Sequence, residues 1–486
     1  MQRFIWLTKF LIWHAMPIDL NKIKTVYFIG IKGVGMSALA VIMKQKGYEV
    51  SGSDVAEEFI TDKNLKQEGI PVNTFDARNL DWHPDLVVMT PAWGRDNPEV
   101  KRALAQKLQT VSGGTLLGLL MDEQEGIVVT GTHGKTTTTA TLTYVLKYLN
   151  EDPSYFIGTG KIFGLEGNGH YGRQRFFVAE GDEYKAEETD NQPKFLQLRP
   201  QAAIITSIEM DHPDVFASLQ DVKNAFRKFT NNIRDGGYIA AWGDASDVRE
   251  VTADVPQANV EYYGFGRDND WRATDLVWHE QSTDFTVHHQ DKLVGKFTTQ
   301  LAGKHSVLNA LGIVAICTHF KLDLDKVKKA LDEFIGSERR LEMKGEVGNI
   351  LVYDDYAHHP TALKTTLDGL KQKFPHRKIW CVFQPHTFSR TKLLLNDFAD
   401  SFAAADHAIL TEVWGSAREQ GGDVSSRDIV AIGAKNHPDM RFFETPTKAK
   451  QALLSEVPDG SIVITMGAGD IYHLGEEYLQ EMRNKK

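Results

Sequence analysis

Residues 127 to 137 have the types and spacing needed to hold a polyphosphate: Ile127-Val-Val-Thr-Gly131-Thr132-His133-Gly134-Lys135-Thr136-Thr137. A short β-branched run ends in a glycine turn. A lysine and a row of hydroxyls then lead into a helix-compatible segment from Ala140 to Leu149. In a strand, phosphate loop and helix arrangement, the amides of the loop and of the helix N-terminus point at the anion. Gly131 and Gly134 let the backbone come close, Lys135 can reach the terminal phosphates, and the Thr136 hydroxyl can bind Mg²⁺. Val129 stands where the general pattern G-x-x-x-x-G-K-[ST] has its first glycine, so a strict pattern search misses this loop.

A second glycine turn lies upstream: Gly30-Ile-Lys-Gly33-Val34-Gly35-Met36-Ser37-Ala38. Gly33-x-Gly35-x-x-Ala38 fits the dinucleotide fingerprint, and Asp54 stands near its acidic position. Such a turn holds a phosphorylated ligand at a helix N-terminus, or it serves close helix–sheet packing alone. Taken by itself it also leaves a nicotinamide dehydrogenase open. The loop at Lys135 argues against that reading, because a dehydrogenase leaves it unexplained.

Further chemistry sits at strand tips. Glu180 ends Phe176-Phe-Val-Ala-Glu180, and His212 follows Ile208-Glu-Met-Asp211. Tips of parallel strands converge where a phosphate loop sits, and a carboxylate there can hold Mg²⁺. A histidine is an unusual Mg²⁺ ligand, so His212 taken alone reads first as a core or hydrogen-bonding residue. Gly303-Lys-His305-Ser-Val-Leu-Asn309 opens a helix, Glu338-Arg339-Arg340 is a surface cluster or an anion clamp, and Asp354-Asp355-Tyr-Ala-His358-His359-Pro360 follows a strand. Zinc is not expected at the last of these, for want of a third well-spaced ligand group. His288-His289 reads as exposed on an alternating strand.

These residues need an α/β scaffold. Apolar β-branched runs at 25–30, 48–54 and 86–90 alternate with helical segments, which indicates a parallel sheet. Similar runs recur at 176–180 and 203–206, and again at 350–353, 379–383, 408–410 and 462–465. Helices are expected at about 36–46 and 308–320, with short strands and turns over 238–301. Together these suggest three units, 1–122 (with 1–20 an extension), 123–335 and 336–486, as the 486 residues also lead one to expect. A net charge of −10 argues against nonspecific nucleic-acid binding. Cys317 and Cys381, both in apolar surroundings, suggest buried thiols in a reducing, cytoplasmic setting. The apolar stretch Met1–Trp13 is too short to span a bilayer, and no integral membrane segment is expected. A peripheral anchor there, or a natural start at Met16, both stay open.

The motifs, in this order, resemble the Mur ligase family from about Lys24 onward. The resemblance rests on Gly30–Ser37, Gly131–Thr136, Asp211-His212, His305 with Asn309, Arg339-Arg340 and Asp354–Pro360. Phe383-Gln-Pro-His-Thr-Phe-Ser-Arg-Thr391, Gly415-Ser-Ala-Arg-Glu419 and Met466–Ile471 look like the third domain of the alanine-adding branch. The resemblance implies a Rossmann-like N-terminal domain for a UDP-sugar, a central P-loop ATPase domain with a mostly parallel sheet, and a Rossmann-like C-terminal domain that closes over ATP. It implies an ATP- and Mg²⁺-dependent ligase joining L-alanine to UDP-N-acetylmuramate through an acyl phosphate, in cytoplasmic peptidoglycan precursor synthesis, as a monomer or homodimer. It assigns Lys135, Arg340 and His359 to catalysis, and Gly131, Thr132, His133, Gly134, Lys135, Thr136, Thr137, His305, Asn309, Arg340 and Asp355 to ATP. Thr136, Glu180 and His212 fall to the metal. Gly33, Val34, Gly35, Met36, Ser37 and Asp54 fall to the UDP-sugar, and His358 and His359 to the amino acid. The chain departs from the family pattern at Gly181, Ser207, Ser306 and Ser112–Thr115, so no UDP-sugar contact is carried over to the last. The segment Tyr184–Phe195 is more like the relative that joins UDP-N-acetylmuramate to a preformed tripeptide.

Overall fold

The structure is a computed structural model, and it describes residues 18–184, 192–212, 215–415, 419 and 421–485. The extension 1–17, most of the tripeptide-like segment (185–191) and residues 416–418 of the Gly415–Glu419 motif lie outside the described residues. Among the described residues, no helix is long and apolar enough to cross a membrane.

Three sheets succeed one another along the chain. The first is wholly parallel, in the order Val72–Thr74, Glu49–Asp54, Thr25–Ile29, Leu86–Met89, Thr110–Ser112. The strand order reverses beside Thr25–Ile29, which leaves a ligand crevice at the carboxyl ends of the strands. The helix Val34–Gln45 starts in that crevice. It begins two residues before the expected Met36, so Val34 and Gly35 belong to its first turn.

The second sheet has ten strands and is parallel through its centre: Gly237–Trp242, Ala202–Ile205, Glu125–Thr130, Phe176–Gly181 and Ser154–Phe156 lie side by side. Antiparallel strands extend it at both edges. Ile127, Val128 and Val129 are fully buried. They form the continuous apolar run expected of a strand covered on both faces, each worth about 1.5–3 kcal/mol in burial. The helix after the phosphate loop is Lys135–Tyr148, which starts earlier than the expected Ala140. The helix expected from Leu308 starts at Lys304. Both first turns are polar, so apolar patterning reveals them late. A helix, Ser246–Thr252, also interrupts the region read as strands and turns. Its Val248 and Val251 are buried, a one-turn apolar face too short to show a period. His289 is half-buried rather than exposed. Its ring stacks on Trp271 with centroids 4.0 Å apart.

The third sheet has six strands: Glu342–Val347, Ile350–Asp355, Ile462–Met466, Ile379–Phe383, His407–Leu410 and Met440–Phe442. Only the first pair is antiparallel. Cys317 and Cys381 are buried free thiols in separate cores.

Candidate active site

The strand Glu125–Thr130 runs between Ala202–Ile205 and Phe176–Gly181, all parallel, so three carboxyl ends meet at the phosphate loop. Gly131 has φ 135°, and a Cβ there would collide with Thr206 Oγ1 and the Ser207 backbone. Gly134 has φ 82° and lies under the Asn309 side chain. Both need glycine, for conformation and for space. Not every loop amide is available to an anion. Thr132 N donates to Ser207 O (2.8 Å) and His133 N to Ser207 Oγ (2.9 Å). The amides left for phosphate are those of the first helical turn, which have no intrahelical acceptor. Ser207, a departure from the family pattern, thus splints the loop.

Lys135 is buried, and its Nζ donates to Gly131 O (2.7 Å) and Thr132 O (3.2 Å). The Glu183 carboxylate meets it at 2.8 and 2.9 Å. Burial opposes the lysine's charge, but Glu183, then Asp182 and Glu180, hold its pKa above the ordinary value. Burial pushes Glu183 the other way, up from the carboxylate range. The Thr136 hydroxyl donates to Glu180 Oε1 (2.7 Å), and Glu180 Oε2 accepts from Gly158 N (2.6 Å). Arg340 reaches across from the third unit, its Nη2 donating to Thr136 Oγ1 at 3.0 Å. His212 has φ 54° and sits edge-on to Tyr184, with centroids 4.2 Å apart. Its Nδ1 is buried with no partner among the described residues, and burial keeps the ring below its usual pKa. The Thr136 hydroxyl and the Glu180 carboxylate are oxygen ligands of the kind Mg²⁺ prefers, and the His212 Nδ1 is a buried nitrogen left without a partner among the described residues.

On the far side of the loop, Asn309 Nδ2 is buried and unpartnered among the described residues. Burial pushes His305 down to about 4. Ser306 turns away, its hydroxyl donating to Ala302 O just ahead of its helix (2.7 Å).

The two arginines of the third unit have separate tasks. Arg339 is structural: its Nε pairs with Asp354 at 3.1 Å and its Nη2 donates to Gly467 O. Asp355 accepts from Leu341 N and Ala357 N, both at 2.7 Å, which anchors the turn carrying Arg340. Burial raises Asp355 to about 6 against the pull of Arg340. His359 caps the helix Pro360–Lys373: Nδ1 accepts from Thr361 N, and Nε2 reaches Met210 O, each at 3.3 Å. Both nitrogens are therefore engaged, which leaves no free base there in this arrangement. His358 is held through Nδ1 to Tyr356 O (2.9 Å), and its ring lies near His386.

The first glycine turn is separate. Asp54 accepts from Lys32 N (2.7 Å), and Lys32 Nζ donates to Glu57 O (2.7 Å). Ser37 is fully buried and donates to Val34 O (2.9 Å), which also accepts from Asn168 Nδ2 (2.9 Å). Gly35 faces Phe156 so closely that a Cβ would lie 3.1 Å from Cζ, and Met36 is buried. The segment 156–168 touches this turn through Phe156 and Asn168. It touches Glu180 through Gly158, so it links the two glycine turns.

Sequence reasoning missed Glu183, Glu209, Asp211 as an ion-pair partner, and Arg390. Arg390 Nε pairs with Asp211 Oδ1 at 3.1 Å, both side chains buried. Burial opposes the Asp211 charge, but His212 and Arg390 hold that carboxyl far below its usual range. The partners are 179 residues apart, and nothing local in either motif announces the pairing.

Comparison with known proteins adds a second line of evidence. Three family models match in order: "Mur ligase family, catalytic domain" over 25–125, "Mur ligase middle domain" over 129–317 and "Mur ligase, glutamate ligase domain" over 339–469. A UDP-N-acetylmuramate–L-alanine ligase from Caldanaerobacter subterraneus subsp. tengcongensis is 37% identical over 97% of this chain and 100% of its own. One from Pediococcus pentosaceus is 40% identical over 93% and 97%. Among solved structures, a UDP-N-acetylmuramate–alanine ligase from Thermotoga maritima superposes with a TM-score of 0.78 at 28% identity, covering 95% of this chain and 100% of that one. A murein peptide ligase from Psychrobacter arcticus gives 0.70 at 25%, covering 94% and 98%. The three sheets, the phosphate loop with its cross-domain arginine and these full-length matches place the chain in the Mur ligase family.

Proposed function

We propose that this protein joins L-alanine to UDP-N-acetylmuramate at the cost of ATP, as a step of peptidoglycan precursor synthesis in the cytoplasm. The observation that carries the ATP chemistry is the bond from Arg340 to Thr136, which brings a third-unit cation onto the phosphate loop beside Lys135. The full-length relatives that bear the alanine-adding name support the choice of amino acid. In this reading residues 1–122 bind the UDP-sugar, 123–335 bind ATP, and 336–486 close over it with the amino acid.

A carboxylate oxygen of the sugar's lactyl group attacks the γ-phosphorus. The new O–P bond forms as the bond to the β-phosphate oxygen breaks, and ADP leaves. The amine of alanine then attacks the acyl carbon, loses its proton, and phosphate leaves. Lys135 and Arg340 neutralise the charge that gathers on the transferring phosphoryl group. Thr136, Glu180 and His212 would hold Mg²⁺, which supplies further charge neutralisation at the phosphates when bound. Asn309 and His305 border the adenine, and Asp355 keeps Arg340 in place. The Val34, Gly35 and Met36 amides of the turn Gly33–Ser37, with Asp54 bracing it, receive the UDP diphosphate. His358 and His359 line the amino-acid end. Arg390, which pairs with Asp211 and lies beside His386, is a cation at that end of the site for the amino acid's carboxylate. Docking of the third unit excludes water, which would otherwise hydrolyse the acyl phosphate.

The test is phosphate release from ATP and Mg²⁺ with UDP-N-acetylmuramate, plus either L-alanine or the L-Ala-γ-D-Glu-diaminopimelate tripeptide. Release with L-alanine, and a product heavier by one alanyl residue, is the expected result. Release with the tripeptide alone would overturn the reading in favour of a peptide-recycling ligase, the activity that the segment Tyr184–Phe195 resembles.

A further inference from the structure

One six-residue stretch, Ser207 to His212, touches the phosphate loop on one side and the third unit on the other. On the loop side, Ser207 holds the Thr132 and His133 amides, and Glu209 N donates to Thr132 Oγ1 at 2.8 Å. On the third-unit side, Met210 O meets His359 Nε2 at 3.3 Å and Asp211 pairs with Arg390 at 3.1 Å. Glu209 alone does both with one carboxylate oxygen: Oε2 lies 3.3 Å from His133 Nε2 and accepts from Thr361 Oγ1 at 2.7 Å. Thr361 is in the first turn of the helix Pro360–Lys373, and His133 is the middle of the phosphate loop.

His133, Glu209 and His359 offer ligand atoms within 4.8 Å of one another, and those residue types also suit zinc. Both nitrogens of His359 already have hydrogen-bond partners, however, and Glu209 is matched by His133 and Thr361. The cluster is satisfied as a polar clasp without an ion.

We propose that Glu209 is a positioning residue that couples occupation of the phosphate loop to docking of the third unit, through His133 on one side and Thr361 on the other. A shift of the His133 ring as phosphate enters the loop changes the charge that Glu209 feels, and with it the strength of its bond to Thr361. Although burial opposes ionisation, the bonds from His133 and Thr361 and the nearby His359 hold the Glu209 carboxyl down at about 2. It is therefore a full charge at neutral pH, and hydrogen bonds to charged groups are the stronger kind. The assignment of alanine as the docked unit's substrate rests on the function proposed above; the coupling itself does not.

The test uses the full chain and the variants Thr361→Val, Thr361→Ser and Glu209→Gln. Hydrogen exchange at residues 359–363 is followed with and without a non-hydrolysable ATP analogue. At saturating analogue the unmodified chain and Thr361→Ser gain protection there; Thr361→Val and Glu209→Gln lose most of that gain and, by the reciprocity of coupling, bind the analogue more weakly. In turnover, Thr361→Val raises KM for L-alanine about tenfold, as expected for one partly exposed bond to a charged group, and Thr361→Ser restores it. Adding Glu209→Gln to Thr361→Val costs little more, since both act on one contact. Unchanged nucleotide-dependent protection in Thr361→Val, or independent, fully additive effects of the two variants, would overturn the coupling. Absence of alanine-dependent phosphate release in the unmodified chain would instead overturn the proposed function, and the exchange experiment would still decide the coupling.

Discussion

The turns at Gly30–Ser37 and Gly131–Thr136 each follow a buried parallel strand and open a helix, yet only the second surrounds its lysine with acids. At the first turn, Lys32 Nζ is tied to Glu57 O and lies 3.5 Å from Asp62. The hydroxyl of Ser37 is used within its own helix. At the second, Lys135 folds back over the loop carbonyls onto Glu183, and the Thr136 hydroxyl lies between Glu180 and Arg340. The first turn offers a ligand backbone amides and little else. The second offers amides, two cations and a carboxylate with a hydroxyl. The same local grammar therefore suits binding in one place and phosphoryl transfer in the other. The difference comes from which neighbouring strands end beside each turn.

That contrast can be broken by mutation. Lys135→Ala is expected to lower kcat by about a thousandfold or more, the scale seen when a phosphoryl-transfer cation is lost, with UDP-sugar binding intact. Lys32→Ala is expected to change kcat by less than about tenfold, since Lys32 meets backbone and a half-buried acid rather than the reacting groups. Steady-state kinetics of both variants, with UDP-sugar binding measured by calorimetry, checks this. Equal losses in the two would erase the distinction.

Glycine replacements probe the backbones. Gly131 has φ 135° and no room for a Cβ, whereas Gly33 has ordinary φ −56° and its nearest neighbour would be 3.6 Å from an added Cβ. Gly131→Ala should destabilise the chain by about 2 kcal/mol or more, and Gly33→Ala by less than about 0.5 kcal/mol. Denaturant unfolding of the two variants gives the comparison directly.

Acid should separate the regions more gently. Burial holds His305, His359 and His386 down at about 4, below their unfolded value near 6.5. A base whose folded pKa is depressed stays neutral in the native state, while the unfolded chain takes up protons first. The stability it contributes is therefore complete above pH 6.5 and is lost as pH falls toward 4. The loss is on the order of 1–3 kcal/mol for each imidazole. All three lie in the second and third units. Hydrogen exchange at pH 7 and pH 5 is thus expected to show loosening there before the sheet that carries Gly33. Earlier loosening of the first sheet would contradict the assignment.

Much of this fold can be read in order along the chain. The strands around Thr25, Leu86, Ile127, Phe176, Ala202, Ile350, Ile379 and Ile462 stand out because parallel strands buried on both faces are unbroken apolar runs. Helix starts were less legible, as at Lys135 and Lys304. A first turn that faces an anion or a domain boundary is polar and looks like loop. The helix Ser246–Thr252 was missed because its apolar face spans only Val248 and Val251. In the site, the lysine, the hydroxyls and the glycines of the phosphate loop were legible because their chemistry is local. Glu183 passed as one acid among several, and Arg390 as one basic residue in a motif.

The sequence by itself determined the alternation of strands and helices, the two glycine turns and the residue types that can hold phosphate, because each depends on neighbours a few positions apart. Tertiary structure alone decided which acid meets Lys135, which of Arg339 and Arg340 reaches the loop, that Ser207 takes up two loop amides, and that Asp211 and Arg390 pair across 179 residues. These outcomes depend on strand order and on the docking of the third unit. Such arrangements are fixed by the packing of whole sheets, and no local pattern encodes them.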